Sequence, residues 1–102
     1  MKLINKNNAV LLDDELLAVA GGSSYKPANC GGEVDQYAVK ENTRYYYHYT
    51  GGGHDQWIPI CVLRVYEKPK IFWFTERFAD VLYESGQTGS LPLDTHDVYY
   101  ML

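Results

Sequence analysis

No run in this chain approaches the roughly eighteen consecutive apolar residues that a membrane-spanning helix needs, so no such span is expected. Cysteine is scarce: Cys30 and Cys61 alone exclude a scaffold stapled by several disulfides, and no Cys-x-x-Cys pair is present to seed a tetrahedral metal site. The three histidines, His48, His54 and His96, are no better placed. Two of them precede an aspartate (Asp55, Asp97), but neighbours along a strand point to opposite faces and no i, i+4 histidine pair exists, so neither a metal nor a cofactor is expected. Positive charge is also thin, with nine Lys and Arg against thirteen Asp and Glu and a net charge of −4. Without a basic stripe, nucleic-acid binding is disfavoured. The same sign argues against a cationic amphipathic peptide that inserts stably into anionic membranes. A Sec-type signal is missing too, because the best apolar candidate, residues 11–20, is interrupted by Asp13, Asp14 and Glu15.

What the chain does have is an ordinary globular composition, 46% hydrophobic and 22% charged over 102 residues, which suits one small domain at most. Its organising stretch is residues 11–22, LLDDELLAVAGG. On a helix Leu12, Leu16 and Val19 share one face with Leu11 beside it, while Asp13, Asp14 and Glu15 fall largely on the other. The acids occupy the first turns, where they complement the positive end of the helix dipole, and Gly21-Gly22 ends the element. A helix of about a dozen residues is marginal alone in water, so its apolar stripe needs a partner.

This segment resembles a double-glycine leader peptide, the removable N-terminal tag of bacteriocins, pheromones and related ribosomally made peptides exported by peptidase-containing ABC transporters. The apolar positions of that pattern fall on Leu11, Leu16 and Val19, the acid on Glu15 and the glycine pair on Gly21-Gly22. Leu12 replaces the serine frequent after the first apolar residue, and the farther upstream apolar position falls on Asn8. The resemblance is confined to residues 1–22. It implies that Leu11, Leu12, Glu15, Leu16 and Val19 bind a papain-like cysteine peptidase fused to the transporter, which cuts between Gly22 and Ser23. The chemistry is intelligible on its own terms: a stripe of helical anchors suits a hydrophobic groove, and two residues without side chains pass a channel that excludes bulkier ones.

Downstream, residues 23–32 read as a linker and residues 33–102 as a small cargo domain. Residues 33–40 alternate as a weak strand, Glu41-Asn42 makes a turn, and residues 44–50, RYYYHYT, form a stronger strand. The run WIPICVLRVYE at residues 57–67 is the best core strand, Lys68-Pro69-Lys70 turns, and residues 71–74 follow as a further short strand. For residues 75–85 a helix capped by Thr75 with Phe78, Val81 and Leu82 on one face is preferred over a strand. Residues 86–92 read as a loop and residues 94–102 as a final element docked on the core. The expected fold class is therefore α+β: a flexible leader helix, then an antiparallel sheet of three or four strands with one packed helix.

Candidate chemistry is sparse. Alternation places Tyr45, Tyr47 and Tyr49 on one face of their strand and Tyr46 with His48 on the other, a set that serves either as packing or as a binding surface. Cys30 and His54, with Asp55 or Gln56 as orienting group, have the residue types of a thiol nucleophile, but nothing in their spacing brings them together, so no catalytic residue is assigned and the chain is not expected to be an enzyme. A disulfide between Cys30 and Cys61 after export and two free thiols are both open. The sequence thus points to the secreted product of a cytoplasmic precursor, with the transporter peptidase as first partner and a receptor or immunity protein as later ones. The alternative is an uncleaved intracellular protein-binding domain whose N-terminal helix docks a partner.

Overall fold

Five rings in a row dictate the centre of the fold: in TRYYYHY every second residue is a tyrosine whose flat side chain packs well on a pleated surface. A computed structural model of the chain describes residues 3–5, 10–11, 22–53, 55–71 and 73–102. It contains eight strands: β1 (Leu3–Asn5), β2 (Val10–Leu11), β3 (Cys30–Glu33), β4 (Thr43–Tyr49), β5 (Gln56–Ile71), β6 (Phe74–Tyr83), β7 (Thr88–Pro92) and β8 (Val98–Met101). They form one sheet in the order β2-β1-β7-β6-β5-β4-β8-β3, with every neighbouring pair antiparallel.

Alternation sorts this sheet into an inner and an outer face. On β4, Tyr45, Tyr47 and Tyr49 are buried, and opposite them β5 contributes Ile58 and Ile60, with Val62 continuing the row. Ala79, Val81 and Tyr83 of β6, Leu91 of β7 and Val98 of β8 extend the same layer. The segment between β3 and β4 brings Val34 and Val39 into it around a single 3-10 turn, Gln36–Ala38. Asp35 caps that turn by accepting the Tyr37 amide at 2.9 Å, and Arg77 ties it to the sheet by donating from Nε to the Gln36 carbonyl at 3.1 Å.

One residue resets the alternation in β5. Val62 pairs with Val81 and Arg64 with Asp80, so Leu63 is the extra residue of a bulge, and beyond it Val65 rather than an even-numbered neighbour packs on the core. Glu41 supports the bulge by accepting the Val65 amide at 2.9 Å.

The expected α+β class is corrected by this arrangement. The sheet has eight strands instead of three or four, and the described residues include no α-helix. Residues 75–85, read as the packed helix, lie mostly in β6, because β5 offers a full ladder on one side and β7 on the other, and Ala79, Val81 and Tyr83 alternate inward. Leu11, placed in the leader helix, lies instead with Val10 in β2, paired with Leu3 and Ile4 of β1; residues 12–20 of that helix lie outside the described residues. The glycine-rich end of the linker is β3, the loop at residues 86–92 contains β7, and Lys68-Pro69-Lys70 continues β5 instead of turning.

Candidate functional site

The junction implied by the leader resemblance sits along the edge of β5, beyond the point where β6 stops pairing with it at Ile60. Gly22 is exposed with φ of +119°, a conformation that suits glycine, and a side chain there would bring its Cβ within 2.9 Å of the Trp57 carbonyl oxygen. Ser23 then forms a single antiparallel bridge with Trp57, its amide donating to the Trp57 carbonyl at 3.2 Å and its carbonyl accepting the Trp57 amide at 2.7 Å. Ser23, Ser24, Tyr25 and Lys26 are all exposed. Leu12, Glu15, Leu16, Val19 and Gly21, the remaining residues of the cleavage and peptidase-binding set, lie outside the described residues, while Leu11 is in β2.

Around the bridge is a cluster that alternation alone assembles. His48 and Trp57 are register partners on β4 and β5, and their rings stack with centroids 3.9 Å apart. Tyr99 of β8 meets Trp57 edge-on at 5.0 Å, and the Lys26 ammonium lies 5.7 Å from the Trp57 ring and 5.5 Å from the Tyr99 ring. His48 is held from its other side by a hydrogen bond to Asp55, and Tyr46 donates to Asn29 Oδ1 at 2.7 Å. Partial burial, with Glu33 and Asp97 nearby, pushes the Tyr99 hydroxyl above its ordinary range. The arrangement packs the rings of His48, Trp57 and Tyr99 against one another beneath the Lys26 ammonium.

Of the other sequence candidates, Cys30 and Cys61 lie on strands that are not neighbours in the sheet. His54 lies outside the described residues, and burial raises the Cys30 thiol above its usual value, against the pull of Lys26, so Cys30 is poorly suited to act as a thiolate. The described residues contain no group of three or more His, Cys, Asp and Glu able to hold a metal ion. Both cysteines are free. The disulfide option fails geometrically: Cys30 on β3 is separated from Cys61 on β5 by β8 and β4, about 14 Å at ordinary strand spacing, whereas a bridge needs Cα atoms within about 7 Å. Cys61 instead lines a shallow depression of ≈ 270 Å³ with Arg44, Pro59, Leu82 and Glu84.

Two structural features were missed in the sequence. One is the bridge of Ser23 to Trp57, which joins distant residues and leaves no local signal. The other is the tip of the β5–β6 hairpin, where Ile71, Trp73 and Phe74 are exposed; four large apolar residues in a row between lysine-rich and charged flanks were its signal. No helix among the described residues is long and apolar enough to cross a membrane. No protein-family model, curated protein or solved structure matches the chain.

Proposed function

We propose that the chain is the precursor of an exported bacteriocin-like or signalling polypeptide, recognised through residues 11–22 and cut after Gly22 by a peptidase-containing ABC transporter. The observation that carries this reading is the pattern of Leu11, Glu15, Leu16 and Val19 ahead of Gly21-Gly22. Three structural features support it. Gly22 and the residues after it are exposed, and the buried cluster of described residues runs from Val34 to Val98, wholly downstream of the cut. The N-terminal strand β1 lies outside β7, bonded to it only through Ile4 with Ser90 and Asn5 with Gly89. Among the described residues, releasing residues 1–22 costs the pairing of β1 with β7.

The bond to be cut is not yet in a peptidase cleft. Its nitrogen donates to Trp57, so the segment must peel from β5 before the carbonyl can meet a nucleophile; two backbone hydrogen bonds at about 1 kcal/mol each contribute to that cost. A hydrophobic groove that grips the leader anchors supplies more than enough to offset it.

Incubation with the cognate peptidase tests the proposal by mass spectrometry. The wild-type chain yields a species beginning at Ser23, Leu16→Asp raises KM at least tenfold, and Gly22→Val abolishes the product. Wild-type chain left intact by an active cognate peptidase refutes it. A second reading, an uncleaved intracellular protein-binding domain, draws support from the pairing of β1 with β7, which ties the N-terminus to the sheet. Intact chain in the cytosol, with none beginning at Ser23 in the medium, selects that reading instead.

A further inference from the structure

The distal half of the β5–β6 hairpin is not explained by the core. From Glu67, paired with Arg77, to Ile71, paired with Phe74, the ladder runs on with no strand on either side among the described residues, since β4 accompanies β5 only as far as Val62 and β7 accompanies β6 only from Phe78 to Leu82. Ile71 is 55%, Trp73 80% and Phe74 57% exposed, and the Trp73 and Phe74 rings lie 5.8 Å apart at the very end. A small domain that needs its apolar residues for a core has put three large ones where they contribute none.

We propose that this tip is a docking element for the interfacial zone of an anionic lipid bilayer. Its chemistry matches that zone: Trp settles at the level of the headgroups, Phe enters the boundary with the acyl chains, and lysine stems lie along apolar surface while their ammonium groups reach phosphate. Lys68 and Lys70 stand just behind the aromatic end. The Lys68 ammonium lies 5.6 Å from the Tyr66 ring and 5.4 Å from the Phe78 ring, while Lys70 pairs with Glu76 at 3.5 Å and Arg77 with Glu67 at 2.8 Å. Residues 67–77 thus hold three basic side chains against two acids, whereas the whole chain carries −4. An anionic surface attracts this end and repels the body, which orients the molecule tip first.

A protein partner or a second copy fits less well. Three side chains offering about 200 Å² each fall short of what a specific protein interface buries, and a convex hairpin end presents no groove. A fluid interface asks for neither area nor shape complementarity. Docking of this kind is peripheral and reversible, and it does not depend on leader removal.

Co-sedimentation of the full chain with vesicles tests the proposal. On phosphatidylcholine vesicles containing about 30% phosphatidylglycerol, the wild type binds, and more salt weakens binding. Trp73→Ala with Phe74→Ala lowers the partition coefficient roughly tenfold or more. Lys68→Glu with Lys70→Glu lowers it about tenfold on these vesicles and much less on pure phosphatidylcholine. A quencher attached to the lipid dims Trp73, against the constant background of Trp57, which is only 8% exposed. Circular dichroism spectra matching the wild type show that the variants are folded. Wild type that does not bind, variants that bind as well as wild type, or a dimer in lipid-free solution that Trp73→Ala dissolves while vesicles take up nothing would each overturn the proposal.

Discussion

The root and the tip of the β5–β6 hairpin share one antiparallel ladder and differ in nearly everything else. At the root, Ile60 faces Tyr83 and Val62 faces Val81, all buried, with β4 on one side and β7 on the other. At the tip, Lys68 faces Glu76 and Pro69 faces Thr75, with no strand beside either edge among the described residues. The Leu63 bulge marks the change, and Glu41 holds it in place. Backbone pairing needs only a partner strand, whereas a core needs a second surface to cover it. A ladder can therefore outrun its domain, and side chains beyond the limit of the core answer to something other than folding. Pro69 and the surrounding charges also keep the open edges from pairing with another chain.

The sharpest way to break this comparison is to cut into the root. Ile60→Ala removes a side chain only 2% exposed in the middle of the sheet and is expected to cost about 2–5 kcal/mol, a large part of a small domain's stability. Urea unfolding followed by circular dichroism measures it. A loss below about 1 kcal/mol would mean that the root is no more a core than the tip.

A chemical contrast within the root sharpens it further. Burial pushes the hydroxyls of Tyr47 and Tyr83 far above the ordinary tyrosine range, and for Tyr47 the neighbouring Asp97 adds to the shift. Unfolding restores both to about 10. Because the folded values are raised, the folded state keeps its protons where the unfolded chain gives them up. Stability is thus complete below about pH 10 and falls above it, by up to about 1.4 kcal/mol per pH unit for each of the two tyrosines. The Tyr83 hydroxyl, buried with no hydrogen-bond partner among the described residues, makes Tyr83→Phe the informative variant. It is expected to gain about 1 kcal/mol at neutral pH and to halve the alkaline slope, as read from unfolding midpoints across pH. Loss of stability at neutral pH would show that the hydroxyl is satisfied after all.

The same contrast explains which parts of the fold were legible in the sequence. β4 was legible because its alternation is uninterrupted and both of its neighbours follow it, so Tyr45, Tyr47 and Tyr49 fall inward as the pattern requires. β6 was not. Phe78, Val81 and Leu82 match a helix face as well as Ala79, Val81 and Tyr83 match a strand face, and the choice is made by β5, a partner that local periodicity does not contain. β3 and β7, CGGE and TGSLP, have turn-like composition and are strands because β8 and β6 offer them hydrogen bonds. The seat of Ser23 on Trp57 was not legible either, since a single bridge across distant residues leaves no periodic trace.

The smallest stability effect belongs to the tip, and its smallness is the point. Trp73→Ser with Phe74→Ser removes two aromatic rings, which in the root would be disabling, yet both are more than half exposed and are expected to change unfolding free energy by no more than about 0.5 kcal/mol each. Hydrogen exchange adds the local view. Amides of Lys68 and Lys70 should exchange through opening that leaves the domain folded, while those of Ile58 and Ile60 exchange only with global unfolding. Were the tip amides protected as strongly as those of the root, or were the double serine variant to unfold as readily as Ile60→Ala, the rings would be part of the fold's own stability. Near-neutral replacement leaves a different account: the large apolar side chains at the tip add little to the fold's stability, as the proposed docking at a bilayer requires.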